Sequence, residues 1–175
     1  MNHTPFPQSF LVKESVLCVG HYPCDRDKAT SLAKQNGLLD CGIRRVINLM
    51  ERNETNRNGE LFADYSKDLT LLARSRNMAA PEFFRVPLRD AQAPTIAQMQ
   101  AVLEIINDSI KRNIPTYMHC WGGHGRTGTV VCCYLISQGK TAQEAIEQLS
   151  VWRQGLPKRH FPLESNQQSF IEQWL

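Results

Sequence analysis

Long apolar runs are missing from this 175-residue chain: no stretch approaches the ~18 residues that a membrane-crossing helix requires. Residues 1–11 hold no basic region followed by an apolar run, so no secretory leader is expected there. No block of five or more Lys/Arg occurs, and 20 basic residues against 17 acidic ones leave a net charge of only +3. That bias helps to attract anions and does not by itself point to nucleic acid. Internal repeats, low-complexity tracts and dividing linkers are also absent, so one domain spanning 1–175, a monomer, is expected. Six cysteines could suggest a disulfide framework, but Cys132 and Cys133 are adjacent within a helical pattern and the others are dispersed. A chain of this size needs no staples, so reduced thiols in a cytoplasmic setting are expected. Cys18, His21 and Cys24 have a faint metal-like spacing and lack a fourth partner.

What the chain does have is an alternation of short apolar runs with helical patterns. Segments 16–20, 44–50, 83–88 and 115–119 are rich in branched and aromatic residues and predict strands. Helices are predicted over 28–39, 63–76, 95–112, 127–137, 141–154 and 165–175. The clearest is 95–112, where Ile96, Met99, Val102, Leu103, Ile106 and Ile110 form one face behind a Thr95-x-x-Gln98 capping box. This alternation predicts an α/β fold: a central, mostly parallel sheet of four to five strands, flanked by helices on both faces.

The most informative stretch is MHCWGGHGRTGT, 118–129, in which Gly122, Gly123 and Gly125 surround His124 between a predicted strand and a predicted helix. Such a loop lies at the carboxyl edge of a parallel sheet, where ligands bind. Glycines let successive amides curl into an anion cradle, and the following helix start adds unpaired N–H groups and a positive dipole end. Arg126 at that helix start can clamp two oxygens of a phosphate. The same field favours the thiolate form of Cys120, the nucleophilic one. No lysine follows Gly125 or Gly128, which argues against a nucleotide-binding loop of the Gly-Lys-Ser/Thr kind. His119, Cys120 and His124 crowd one tight turn and are poorly spaced for a tetrahedral ion, so no metal is expected.

His119-Cys120-x5-Arg126-Thr127 resembles the signature of the cysteine-based protein tyrosine phosphatase superfamily, nearest its small dual-specificity branch. The likeness extends through LCVGHYP, GIRRVINLM, FFRVPLRDAQAP and NQQSFI. It implies a phosphocysteine intermediate with no metal or organic cofactor. On matching positions, Cys120 attacks phosphorus, Arg126 clamps the phosphate, and the loop Trp121, Gly122, Gly123, His124, Gly125 cradles it. Thr127 helps the sulfur depart, and His119 holds the cysteine as thiolate through hydrogen bonds.

A leaving alkoxide or phenoxide needs a proton, so a carboxylic acid should face the cradle. Asp90 follows a predicted strand on the same sheet edge, in a loop framed by Pro87 and Pro94; Asp64 and Asp68 are weaker candidates. The resemblance also implies a water-positioning glutamine, Gln167, with its neighbour Gln168 left open. Trp121 has the alternative of packing beneath the loop. The expected substrates are phosphotyrosine or mixed phosphoprotein groups, with cations at Arg89, His124, Lys158, Arg159 and His160 favouring acidic targets. His124 sits where phosphoinositide phosphatases of the superfamily often carry lysine, which leaves inositol phosphates or phosphoinositides as the alternative. A non-catalytic phosphate-recognition module is the rival of another class.

Overall fold

The computed structural model describes residues 3–156 and 163–174. In chain order these form β1 (Ser9–Lys13), β2 (Leu17–Gly20), α1 (Lys28–Asp40), β3 (Arg45–Asn48), α2 (Ser66–Ser75) and β4 (Glu82–Arg85). Then come α3 (Ile96–Lys111), β5 (Thr116–His119), α4 (Gly125–Ser137), α5 (Ala142–Arg153) and α6 (Ser165–Glu172). The five strands form one sheet in the order β1-β2-β5-β3-β4, parallel except for β1, which runs antiparallel to β2. β2, β3 and β5 are buried along their whole length, as parallel strands covered on both faces must be.

Strand alternation shows how the two faces are covered. Tyr117 and His119 of β5 point to one side, where the Tyr117 ring meets Phe6 and the His119 ring meets Tyr65 at the start of α2. Arg45, in register with Thr116, points to the other side and reaches Asp108 and Ser109 of α3 at 2.8 Å each. On that side α3, α5 and α6 pack around α4, while α1 packs against α2.

Local chemistry sets the element ends. Asp27 caps α1 by accepting from Thr30 N at 2.7 Å, and capping boxes open α3 at Thr95/Gln98 and α5 at Thr141/Glu144. Gly42 and Gly139, just past the ends of α1 and α4, take φ values of +72° and +96° that other residues adopt at a cost.

Several expected boundaries move. β1 was not foreseen: it is a five-residue edge strand beginning two positions after Pro7, too short to show a clear alternation. The strand expected over 83–88 is β4, Glu82–Arg85; beyond it Val86 and Leu88 still donate to Asn48 and Leu49, but Pro87 between them has no N–H. The strands expected over 16–20 and 44–50 are β2 and β3, with single hydrogen bonds carrying the pairing one residue further: Val16 O accepts from Thr116 N at 2.7 Å and Leu49 N donates to His119 O at 2.9 Å. The helix expected over 63–76 starts only at Ser66, because the Asp64 carboxylate accepts from Ser66 N at 3.0 Å. α4 starts earlier than expected, at Gly125, and α6 ends at Glu172 rather than running on to 175.

Gly20 sits where β1, β2 and the glycine loop touch. A Cβ there would lie 2.4 Å from Gln8 O and 2.8 Å from Ser9, so Gly20→Ala should destabilise the fold by about 1–3 kcal/mol. Urea unfolding checks this; an unchanged midpoint would mean that β1 gives way freely.

Candidate active site

The parallel register brings Gly20, His119, Asn48 and Arg85 side by side at the carboxyl ends of β2, β5, β3 and β4. The loops leaving these four strands therefore open on one edge. Cys120 directly follows β5 and is buried, with 3% of its surface exposed. The chain then turns tightly into α4. Gly123 at φ +69° presses its backbone on Gly20, where a Cβ would be 2.6 Å from the Gly20 carbonyl carbon. Gly125 faces Gln167 instead, 3.0 Å from its Oε1 on the same measure. Larger residues at either position would push the loop off its supports.

Arg126 is 1% exposed and its guanidinium is held on two sides. Glu54 binds it with both oxygens, Oε2 to Nη1 at 2.6 Å and Oε1 to Nη2 at 2.7 Å, and Nη1 also donates to Leu88 O at 3.2 Å. Asp90 Oδ1 lies 3.0 Å from Nη2. Nε finds no partner among the described residues. Glu54 and Asp90 thus both lie on Nη2, and a bound oxyanion would take Nε together with the place Asp90 holds on Nη2, in the paired geometry that guanidinium offers. Burial alone pulls the Arg126 pKa down, but the Glu54 hydrogen bonds and the charges of Cys120, Glu54 and Asp90 outweigh it, and the net shift is upward.

Beneath the loop lies a second buried guanidinium, Arg153 at the end of α5. Its Nη2 donates to His124 O at 2.6 Å and Gly123 O at 3.2 Å. Those bonds draw the two carbonyls toward the protein interior. Gly128, in the first turns of α4, makes room for it: a Cβ there would be 2.6 Å from Arg153 Nη2. That close approach accounts for glycine inside a helix that would otherwise favour alanine. Burial lowers the Arg153 pKa to about 10, against smaller upward effects of Cys120 and Cys132, so it stays charged at neutral pH.

His119 is fully buried and its pKa is lowered to about 3, chiefly by desolvation, partly opposed by its bond to Cys120. It is therefore neutral. Since Nδ1 lies 3.0 Å from the Cys120 carbonyl, an acceptor only, that nitrogen carries the proton, and Nε2 accepts from the Tyr65 hydroxyl. The imidazole bonds to the backbone at Cys120 and has no proton to give elsewhere. Thr127 Oγ1 is buried without a hydrogen-bond partner among the described residues.

The expected residues thus lie around one edge, with some reassignments. Gln167 is fully buried against Gly125, while Gln168 is exposed, so only the first reaches the loop. Asp64 accepts from Ser66 N just before α2, and Asp68 lies exposed in its first turn, so of the three aspartates considered Asp90 alone is at Arg126, alongside Glu54. The Trp121 ring packs on Phe62 with centroids 5.2 Å apart, and a groove of about 390 Å³ opens beside it, with Arg26 and Arg57 on its wall. Lys158, Arg159 and His160 lie outside the described residues. All six cysteines are free, and the described residues contain no His/Cys/Asp/Glu group suited to a metal ion, Cys18, His21 and Cys24 included. No helix among them is long and apolar enough to cross a membrane.

Glu54, Tyr65, Arg153 and Asn166 were not singled out from the sequence. Glu54 is one of several acids in a polar segment after β3, and nothing local separates it from Glu51 or Glu60.

The sheet and the cysteine-to-arginine loop together define a phosphatase-type domain of the dual-specificity class. Residues 8–155 match the model of the Swiss Army Knife protein DSP-PTPase phosphatase domain, and the chain belongs to that family. Among curated proteins, it is 32% identical over 100 residues to the phosphatidylglycerophosphate phosphatase PTPMT2 of Arabidopsis thaliana, covering 57% of this chain and 38% of that protein. It is 29% identical to PTPMT1 of the same plant over 62% of this chain and 28% of the relative. The chain thus spans well under half the length of these two relatives. Among solved structures, PTPMT1 in complex with PI(5)P superimposes with a TM-score of 0.69 at 21% identity, covering 95% of this chain and 94% of that one. Kinase associated phosphatase does so with 0.69 at 19%, covering 98% and 94%. At these identities the structures show a shared fold.

Neutral His119 makes stability depend on pH. The unfolded chain takes up a proton at this histidine below its ordinary value of 6.5, whereas the fold does not until about 3. The unfolded state therefore binds more protons in that window, and stability falls as the pH drops through it and is flat above. His119→Gln should flatten this decline, whatever its effect at neutral pH. Urea midpoints at several pH values between 7 and 4 check it, and an unchanged slope would place the acid sensitivity elsewhere.

Proposed function

We propose that this chain is a metal-independent phosphomonoester hydrolase working through a phosphocysteine intermediate. The observation that carries the reading is the buried Arg126 guanidinium, oriented by Glu54, with the Asp90 carboxylate on Nη2 and Nε without a partner among the described residues, at the far end of the loop from Cys120. In the first transfer the Cys120 thiolate forms a bond to phosphorus as the ester P–O bond breaks, and the leaving oxygen takes the proton of Asp90. In the second, water attacks phosphorus, Asp90 takes a proton from it, and the S–P bond breaks to release inorganic phosphate. Loop amides from Trp121 to Arg126 hold the nonbridging oxygens, Thr127 donates to the departing sulfur, and Gln167 orients the water. Dividing the hydrolysis into two transfers replaces one high barrier by two lower ones.

The substrates in this reading are phosphotyrosine or mixed phosphoprotein side chains. A second reading, a phosphoinositide or inositol phosphate, is favoured by the names of the plant relatives and by the PI(5)P-bound structure. A single-domain monomer acting in the cytoplasm is part of the proposal; six free cysteines are in keeping with a reducing compartment.

Turnover of para-nitrophenyl phosphate should persist in excess EDTA and vanish in Cys120→Ser, which should still bind tungstate by calorimetry. Oxyanion binding by the wild type without turnover would instead identify a phosphate-recognition module. Glu54→Ala frees the guanidinium and should lower kcat/KM by about 10–100-fold, as displacement of a clamp on this scale does. Steady-state kinetics on phosphotyrosine peptides and inositol phosphates measures that loss and ranks the two substrate classes.

A further inference from the structure

We propose that Asn166, in the first turn of α6, is a positioning residue that holds the Asp90 turn closed over the cysteine loop. The inference rests on the phosphatase reading, with Asp90 as the proton donor.

Apart from the ion pair of its carboxylate with Arg126 Nη2 at 3.0 Å, Asp90 has little of its own to hold it. It sits in a four-residue turn closed by a long hydrogen bond, Gln92 N to Arg89 O at 3.3 Å, and its side chain is 58% exposed. The next residue, Ala91, has φ +56°, a conformation that favours glycine and costs energy in alanine. A turn of this kind keeps its shape only where its surroundings impose it.

Donors from two helices do so. On the entry side, Gln98 of α3 donates to Pro87 O at 2.8 Å. On the exit side, Gln167 Nε2 donates to Gln92 O at 3.2 Å. Between these, Asn166 Nδ2 reaches Ala91 O and Gln92 Oε1, each at 3.3 Å. Asn166 therefore holds the carbonyl of the residue directly after the acid, the one in the costly conformation. It is exposed, and its recorded bonds go to the turn and not to the cysteine loop. Gln167 differs, being buried against Gly125.

The chemical consequence is selective. Proton donation matters when the leaving oxygen is basic and matters little when the leaving group departs readily as an anion. Loosening the turn should thus slow esters of basic phenols and spare activated ones, a pattern that a general loss of folding or of phosphate binding does not produce.

The test compares phenyl phosphate with 2,4-dinitrophenyl phosphate for the wild type, Asn166→Ala, Asp90→Asn and the double variant. The readout is kcat/KM, which reports the first transfer alone for both esters: with phenyl phosphate, Asp90→Asn should lose about 100-fold and Asn166→Ala about 10-fold, fractions of what a general acid contributes. With the dinitrophenyl ester, Asn166→Ala should stay within about twofold of the wild type. In the Asp90→Asn background the second substitution should add nothing, because the group it positions is gone. Equal slowing of both esters by Asn166→Ala, no slowing of either, or additive losses in the double variant would overturn the positioning role while leaving the phosphatase reading intact. Equal slowing of both esters by Asp90→Asn would remove the acid assignment, and this proposal with it.

Discussion

The geometry of the site depends on a charge taken out of water. Arg126 is buried almost completely, and a guanidinium in that position is costly unless nearly all its donors are met. Glu54 and the Leu88 carbonyl meet one end and one side of the fork. Asp90 lies on Nη2, and Nε alone has no partner among the described residues, so an oxyanion would complete the set there. A fixed donor pair in a site of low dielectric gains more from a bound anion than a mobile surface arginine would, and it requires little reorganisation when the anion arrives.

That arrangement in turn depends on the sheet. β5 lies between β2 and β3, so the loop after it has loops on either side, and β4 beyond β3 supplies the segment that carries Asp90. Gly20 at the end of β2 gives Gly123 a backbone to rest on. Glu54 comes from the loop after β3. Below, Arg153 holds two loop carbonyls, and its charge adds to the positive field of the α4 start around Cys120. Two buried guanidinium groups, one clamping and one supporting, bracket a loop of seven residues from Cys120 to Arg126.

Much of this was legible beforehand because it is local. The glycine spacing of 122–125, the strand before it and the helix after it were enough to predict a cradle with cysteine and arginine at its ends. Capping boxes at Thr95 and Thr141 fixed two helix starts to the residue, since each involves side chains three positions apart. The resemblance implied Gln167 with Gln168 left open, and of the two Gln167 is buried and Gln168 exposed. Glu54, Tyr65 and Arg153 could not be read in the same way. Glu54 is 72 residues from Arg126 along the chain, and Arg153 is 29 residues from His124, whose carbonyl it holds.

The sequence by itself determined the alternating strand and helix order, the position of Cys120 at a strand-to-helix junction and the family signature, because each is written within a dozen neighbouring residues. Only the tertiary structure decided which carboxylate binds Arg126, which arginine bonds to the loop carbonyls and which side chains of α6 bond to the turn that carries Asp90. Those choices are made by parallel pairing of strands distant in the chain, and by the requirement that a buried charge or polar group find a partner wherever the fold places one.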